Sequence, residues 1–298
     1  MHRIILAIVL TATVGMAAIN YYDDVTLIGT EGGVSYYDLS GGGASGWVDT
    51  NVYLIYHNMN TNAAGGLDDI SGNTRDMVPS PSVAAGASQF VVTNDPEKVA
   101  FTFDGVDDVF DLTTLTGLTN ATAGTIHAWV NRQDAILDSA QDGEYLVNYC
   151  VKASGIQRQL SLFEDPTPPS SLATNTFAGA LHAGNSIKWQ FNTVASDTVK
   201  TNDTWQLVTI VQNGTIPVMY LDGVLEPIEF SQFADITAWT DQISPDILTL
   251  GGWWYANTLY AKYDGDMAVF AQLDYAQSSN SVYEFWQNTN PTNNVRIR

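Results

Sequence analysis

The sequence predicts an all-β protein: an antiparallel β-sandwich of jelly-roll type, entered through an N-terminal extension and closed by one short C-terminal helix. Three observations predict it. The 298 residues include 30 Thr and 21 Asn, 25 Asp against 7 Glu, and only 14% charged side chains. β-Branched residues favour strands, Asp and Asn favour turns, and good helix formers are scarce. Secondly, short apolar runs follow one another, each ended by Gly, Asp, Asn or Pro, which is the signature of strands and hairpins. Thirdly, neither helical periodicity between these runs nor a self-similar repeat is present, which excludes parallel α/β folds, propellers and solenoids.

Bulk properties exclude several functional classes. With 45% hydrophobic residues and eight Trp, the chain can bury a sizeable core, so disorder is excluded. The net charge is −21, from 32 acidic and 11 basic residues. A nucleic-acid binder needs clustered Lys and Arg, and anionic membrane surfaces repel this charge in the same way. Cys150 is the lone cysteine, which excludes an intrachain disulfide and a Cys-based zinc site. Its apolar neighbours make it a buried strand residue.

The elements follow in order. Residues 1–18 carry Arg3, an apolar run over 4–14 and small residues at Ala17 and Ala18. This pattern fits a secretory signal, and its β-branched run equally fits an anchor or a strand donated to a neighbouring subunit. In the assembly reading the contacts are Ile4, Ile5, Leu6, Ile8, Val9 and Leu10. The run falls short of the ~20 apolar residues that span a bilayer, so no transmembrane helix is expected. Residues 19–48 read as an adaptor ending in the Gly-rich linker 41–46. The expected strands are then 52–56, 89–92, 99–103, 109–112, 125–131, 144–151, 157–163, 186–191, 205–212, 218–221, 247–251 and 266–273. Asn213-Gly214 and Asp222-Gly223 sit between apolar runs, which makes 205–230 an antiparallel meander. Pro166, Pro168 and Pro169 punctuate a long loop. Ser279 precedes Val282, Phe285 and Trp286 at helical spacing, which predicts the closing helix.

An ordered series of motifs over about residues 50–290 resembles the laminin-G-like group of concanavalin-A-like lectin and glucanase jelly rolls. The series runs through 54–57 with Asp69-Ile70-Ser71-Gly72-Asn73, then Phe103-Asp104-Gly105-Val106-Asp107-Asp108 and the 125–130 strand with Trp129. It continues through Trp205, the Tyr220-Leu221-Asp222-Gly223 hairpin, 248–252 and Tyr263-Asp264-Gly265. The resemblance divides the chain into an extension, 1–48, and a laminin-G-like jelly-roll domain, 49–298. It also implies calcium at the sandwich rim, held by Asp69 and Asn73 together with Asp104 and Asp107. Hard oxygen ligands suit the Asp excess; an Asp before a Gly is equally a turn former that caps its own backbone.

The related glucanases carry an E-x-D-x-x-E strand, whose period-two spacing aims carboxylates into one cleft. This chain lacks the pattern. Glu226 and Glu229 flank Pro227 at odd spacing and read as a solvated rim. The four His residues are scattered, His127 reading as an ordinary hydrogen-bonded residue on one sheet face, and neither HExxH nor G-x-S-x-G occurs. The expectation is therefore a non-enzyme. Trp253-Trp254-Tyr255 after Gly251-Gly252, with Trp239 and Tyr260, offers an aromatic ligand surface. The same rings suit a covered sheet edge or a subunit interface. Three Asn-x-Thr triplets, at Asn120, Asn202 and Asn213, match glycosylation acceptors.

The function expected from all this is a non-catalytic structural and adhesive protein of a virion (capsid decoration, spike or fibre) or of an extracellular assembly. Its partners would be copies of itself, other virion or surface proteins, and glycans bound by the lectin-like sandwich. A secreted or surface-anchored prokaryotic carbohydrate-binding protein is the alternative, and a divergent glycoside hydrolase the third reading.

Overall fold

The computed structural model describes the backbone at 26–31, 34–38, 52–56 and 88–91, and backbone with side chains over most of 66–79 and 99–292. The assembly residues Ile4, Ile5, Leu6, Ile8, Val9 and Leu10, and the calcium candidate Asn73, lie outside the described residues. The chain divides into two compact units, Met1–Gly46 and Trp47–Ile297. In the first, β1 (Thr26–Glu31) and β2 (Val34–Asp38) pair antiparallel. What the sequence presented as an adaptor thus contains a hairpin, built on Val34, Tyr36 and Tyr37.

The second unit carries β3 (Val52–Tyr56), β4 (Val78–Pro79), β5 (Ser88–Val91), β6 (Val99–Asp104), β7 (Phe110–Leu112), β8 (Gly124–Asn131), β9 (Glu144–Cys150) and β10 (Arg158–Asp165). There follow β11 (Thr176–Ala183), β12 (Ser186–Thr193), β13 (Gln206–Gln212), β14 (Pro217–Leu221), β15 (Val224–Glu226) and β16 (Ile228–Gln232). The last are β17 (Ile247–Leu250), β18 (Trp253–Tyr255), β19 (Thr258–Tyr260), β20 (Asp264–Leu273) and the helix α1 (Ser279–Thr289). Two antiparallel sheets result. One runs β16-β12-β11-β10-β9-β17-β7-β4; the other runs β15-β14-β13-β8-β20-β6-β5, with β3 also on β20. The long strand β20 pairs β8 on one side; on the other it pairs β6 through residues 264–267 and β3 through 270–273.

The core lies between the sheets, where alternate positions such as Leu160, Leu162, Val208, Ile210, Leu248 and Leu250 meet. Trp189 and Trp239 stack there with centroids 6.1 Å apart. Both outer faces are covered as well, which is why strands β8, β9 and β13 are buried at every residue instead of alternating. Over the β8–β13–β20 face lies α1, started by the Ser278 hydroxyl accepting from Ser281 N. Its Phe285 joins Trp129, Leu207 and Val269 in an apolar cluster, and Trp129 Nε1 donates to Thr289 Oγ1 at 2.7 Å. Over the β9–β10–β11 face lies the β18–β19 hairpin. Its Trp253 packs on Tyr145, Phe163, Ala178 and Ala180, and its Trp254 on Cys150 and Ile247.

Candidate ligand-binding face

Five rings form a graded aromatic stack at the β18–β19 hairpin. Phe163 of β10 and Tyr145 of β9 are stacked at 4.9 Å, and Tyr145 stacks on Trp253 at 5.4 Å. Trp253 touches Tyr255 and Tyr260, each at 5.7 Å. The gradient runs from Phe163, Tyr145 and Trp253, all buried, through the half-buried Tyr255 to Tyr260, which is 45% exposed. Tyr255 is held by its hydroxyl, which donates to Gly155 O at 2.7 Å. The backing rings Tyr145 and Phe163 are the members that sequence reasoning missed; in sequence they are ordinary strand residues, and only the cross-strand register makes them neighbours.

Two other aromatic candidates sit elsewhere. Trp239 is fully buried in the inter-sheet core and is not available as a platform. Trp254 is 3% exposed. Strand alternation does separate it from Trp253, but onto a second covered surface and not into solvent. There its Nε1 donates to Asp111 Oδ1 at 3.0 Å, and Lys152 Nζ sits 3.7 Å over its ring. Lys152 also reaches Asp111 Oδ2 at 3.4 Å. Trp254 is thus the hairpin's anchor, Trp253 is the buried backing of the stack, and Tyr255 and Tyr260 are its outward face.

The same outer face of the sheet carries a row of mostly polar residues in register, buried from Asp111 through Ala180. Asp111, Thr249, Asn148, Ser161, Ala180 and Gln190 stand opposite one another across six strands. Asn148 Nδ2 donates to Ser161 Oγ at 2.8 Å.

Of the metal candidates, the structure brings Asp104 and Asp107 together and adds Asp108, one carboxylate oxygen of each lying within 4.8 Å of the others. Asp104 Oδ1 accepts from the backbone N of Val106 (2.8 Å) and Asp107 (3.1 Å), and Asp108 Oδ2 accepts from Asp104 N (3.1 Å). Partial burial pushes the Asp104 acid upward, but the backbone N–H bonds of Val106, Asp107 and Asp108 outweigh it, so its pKa lies below the ordinary value. The donor set is of the hard-oxygen kind that calcium takes. Asp69 does not join it. Its carboxylate accepts from Ser71 N, Ser71 Oγ and Arg75 N, so it staples its own loop.

That staple recurs: Asn213 accepts from Thr215 N and Oγ1, Asp235 from Thr237, and Asn290 from Thr292. The Asn213-Gly214-Thr215 triplet is therefore a turn of the type that Asp-x-Thr and Asp-x-Ser also make here.

Two further buried polar groups carry ionisable side chains. His127 is enclosed under α1, its ring stacked on Phe285 at 3.9 Å. Its Nε2 donates to Gln277 Oε1 and its Nδ1 accepts from Thr209 Oγ1, both at 2.8 Å. Burial lowers its pKa to about 3, against the smaller upward effect of Gln277. The second group, Arg132 with Glu144 and Glu164, is a carboxylate pair that no sequence motif marks. Glu226 and Glu229 fall on two different strands, β15 and β16. Burial also pushes the Cys150 thiol upward, away from reactivity.

No protein-family model matches the chain, and no curated protein matches it in sequence. Solved structures do match in fold. The binding domain of botulinum neurotoxin DC, in complex with rat synaptotagmin II, superposes with a TM-score of 0.55 at 16% identity, over 83% of this chain and 53% of that one. The receptor-binding domain of the botulinum neurotoxin C/D mosaic serotype gives 0.54 at 14% identity, over 80% and 51%. A botulinum neurotoxin type C structure, described by its dependence on two ganglioside molecules for cell entry, gives 0.52 at 13% identity, over 80% and 51%. The chain spans about half the length of these structures. At such identity the likeness establishes the β-sandwich fold alone.

Proposed function

We propose that the chain is a non-catalytic binding module that takes glycans on the Tyr255–Tyr260 face, which Trp253 backs from below. The observation that carries this reading is the graded stack: a sugar's C–H face packs on an aromatic ring, and a ring backed by buried rings is presented without loss of conformational freedom. Support comes also from the neighbours in fold: one is a receptor-binding domain, one is described with two ganglioside molecules, and one is a binding domain in complex with rat synaptotagmin II. The laminin-G-like, concanavalin-A-like assignment belongs to the same proposal, with calcium at Asp104, Asp107 and Asp108 steadying the sandwich rim. Its setting would be a virion or an extracellular assembly, where self-association places many copies on one surface and multiplies weak glycan contacts.

The test is a glycan array followed by calorimetry on the best-bound glycan. Losing one exposed ring costs about 0.5–1.5 kcal/mol, so Tyr260→Ala weakens binding by about two- to tenfold. Its thermal midpoint falls by only about 2–4 °C, because Tyr260 is 45% exposed. An array without a bound glycan, or a Tyr260→Ala chain with unchanged affinity, refutes the proposal.

A further inference from the structure

Glu144 and Glu164 face each other across the β9–β10 pair, and both reach one guanidinium. Arg132 Nη1 donates to Glu144 Oε2 and Glu164 Oε2 at 2.7 Å each, and Nη2 donates to Glu144 Oε1 at 2.8 Å. Glu144 Oε2 also accepts from Asp264 N at 3.0 Å. The side chains of Arg132, Glu144 and Glu164 are 2%, 12% and 0% exposed. The sharing is unequal: Glu144 holds both guanidinium nitrogens, whereas Glu164 holds one, and its Oε1 is buried without a hydrogen-bond partner.

The other groups facing the triad come from β20 and its lead-in. Asp264 adds negative charge and Tyr263 a buried phenol, on which Asp266 acts in turn; the cation that acts on Glu164 is Arg132. Two carboxylates in one buried site cannot both ionise cheaply beside a single guanidinium. An unpaired buried carboxylate oxygen is a group that a proton would neutralise.

We propose that Glu164 is a proton-binding site of the folded chain, occupied in mildly acidic surroundings and emptied as the medium becomes alkaline. Burial raises the Glu164 pKa to about 7, against Arg132, with Glu144 and Asp264 adding to the rise. The sign follows from linkage. A raised folded-state pKa means that the folded chain holds the proton more tightly than the unfolded chain does. The stabilisation is therefore complete below the ordinary glutamate value of 4.5, declines as pH rises, and is gone above about 7.

The test needs no ligand, so its failure is separate from any failure of the glycan reading. Equilibrium unfolding of the full chain is followed against pH for wild type, Glu164→Gln and Glu144→Gln. The amide is an uncharged isostere of the protonated acid. Relative to Glu164→Gln, the wild-type unfolding constant rises by about tenfold per pH unit between the two pKa values and then levels. Parallel curves overturn the proposal, and so does a flattening produced by Glu144→Gln instead. Should Glu164→Gln not fold, carbon-13 NMR of glutamate-labelled wild type decides. One carboxyl carbon titrating far above the others supports the site, and seven ordinary titrations overturn it.

Discussion

His127 offers the sharpest quantitative prediction, through the substitution His127→Gln. The histidine is neutral in the fold because burial penalises its charged form; its Nε2 donates to Gln277 and its Nδ1 accepts from Thr209. Protonating Nδ1 would place a full positive charge in a site closed by Phe285 and cut off from water. The folded pKa of about 3 against an ordinary 6.5 is a depression of a basic group. The folded chain therefore binds fewer protons than the unfolded chain between those values, and stability is lost as pH falls through that window. At about pH 4 the loss from this residue is about 3 kcal/mol, from ~1.4 kcal/mol per pH unit below the ordinary value. Gln can keep the bond to Gln277 but not the ring stack or the Thr209 bond, a cost of about 1–3 kcal/mol at pH ~8. Denaturant unfolding of both chains at several pH values measures the difference. His127→Gln is the less stable at pH ~8, and its deficit shrinks by about 3 kcal/mol on reaching pH ~4, where it equals or overtakes wild type. A deficit constant across that range would show that His127 does not titrate in this way and refute the reasoning.

Two further outcomes follow from the loops. Millimolar calcium raises the wild-type thermal midpoint, and Asp104→Asn or Asp107→Asn abolishes the rise; equal midpoints with calcium and with chelator would leave Asp104 as a turn cap alone. Gly251→Ala destabilises the fold by about 2–5 kcal/mol, because Gly251 has φ +86° and an added Cβ would stand 2.5 Å from Phe103 Cδ1. Chemical denaturation checks it, and a loss below ~1 kcal/mol would mean that the Phe103 ring moves aside freely.

Most of the sandwich was legible because its strands carry β-branched and aromatic residues between Asp-Gly and Asn-Gly turns. The strand β11 was not, and its residues explain why. Thr176–Ala183 reads Thr-Phe-Ala-Gly-Ala-Leu-His-Ala, a run without apolar alternation. Its small residues are a consequence of packing on both faces: a Cβ on Gly179 would meet Phe191 Cζ at 2.8 Å, and Ala178 and Ala180 lie beneath the Trp253 cluster. The hairpin β18–β19 was also missed as structure, since three-residue strands give no period, although its aromatic content marked it as a site. Exposure was the part of the site that pattern could not assign. Strand alternation separates Trp253 from Trp254 but cannot say that a polar partner, Asp111, waits for the second ring.

The two buried ionisable groups explain each other's invisibility in any simple measurement. Glu164 releases a proton on unfolding wherever the pH lies between 4.5 and about 7. His127 takes one up wherever it lies between about 3 and 6.5. In the overlap, from 4.5 to 6.5, the net proton exchange from the pair is zero, so their slopes cancel and wild-type stability is flat with respect to them. Below the overlap the histidine slope stands alone and stability falls with acid; above it the glutamate slope stands alone and stability falls with base. A broad plateau in wild type is thus not a sign that buried ionisable groups are absent. From these two groups it would be the sum of opposed titrations, one under the helix on the outside of the β8–β13–β20 sheet and one between the sheets, and single substitutions would tilt it.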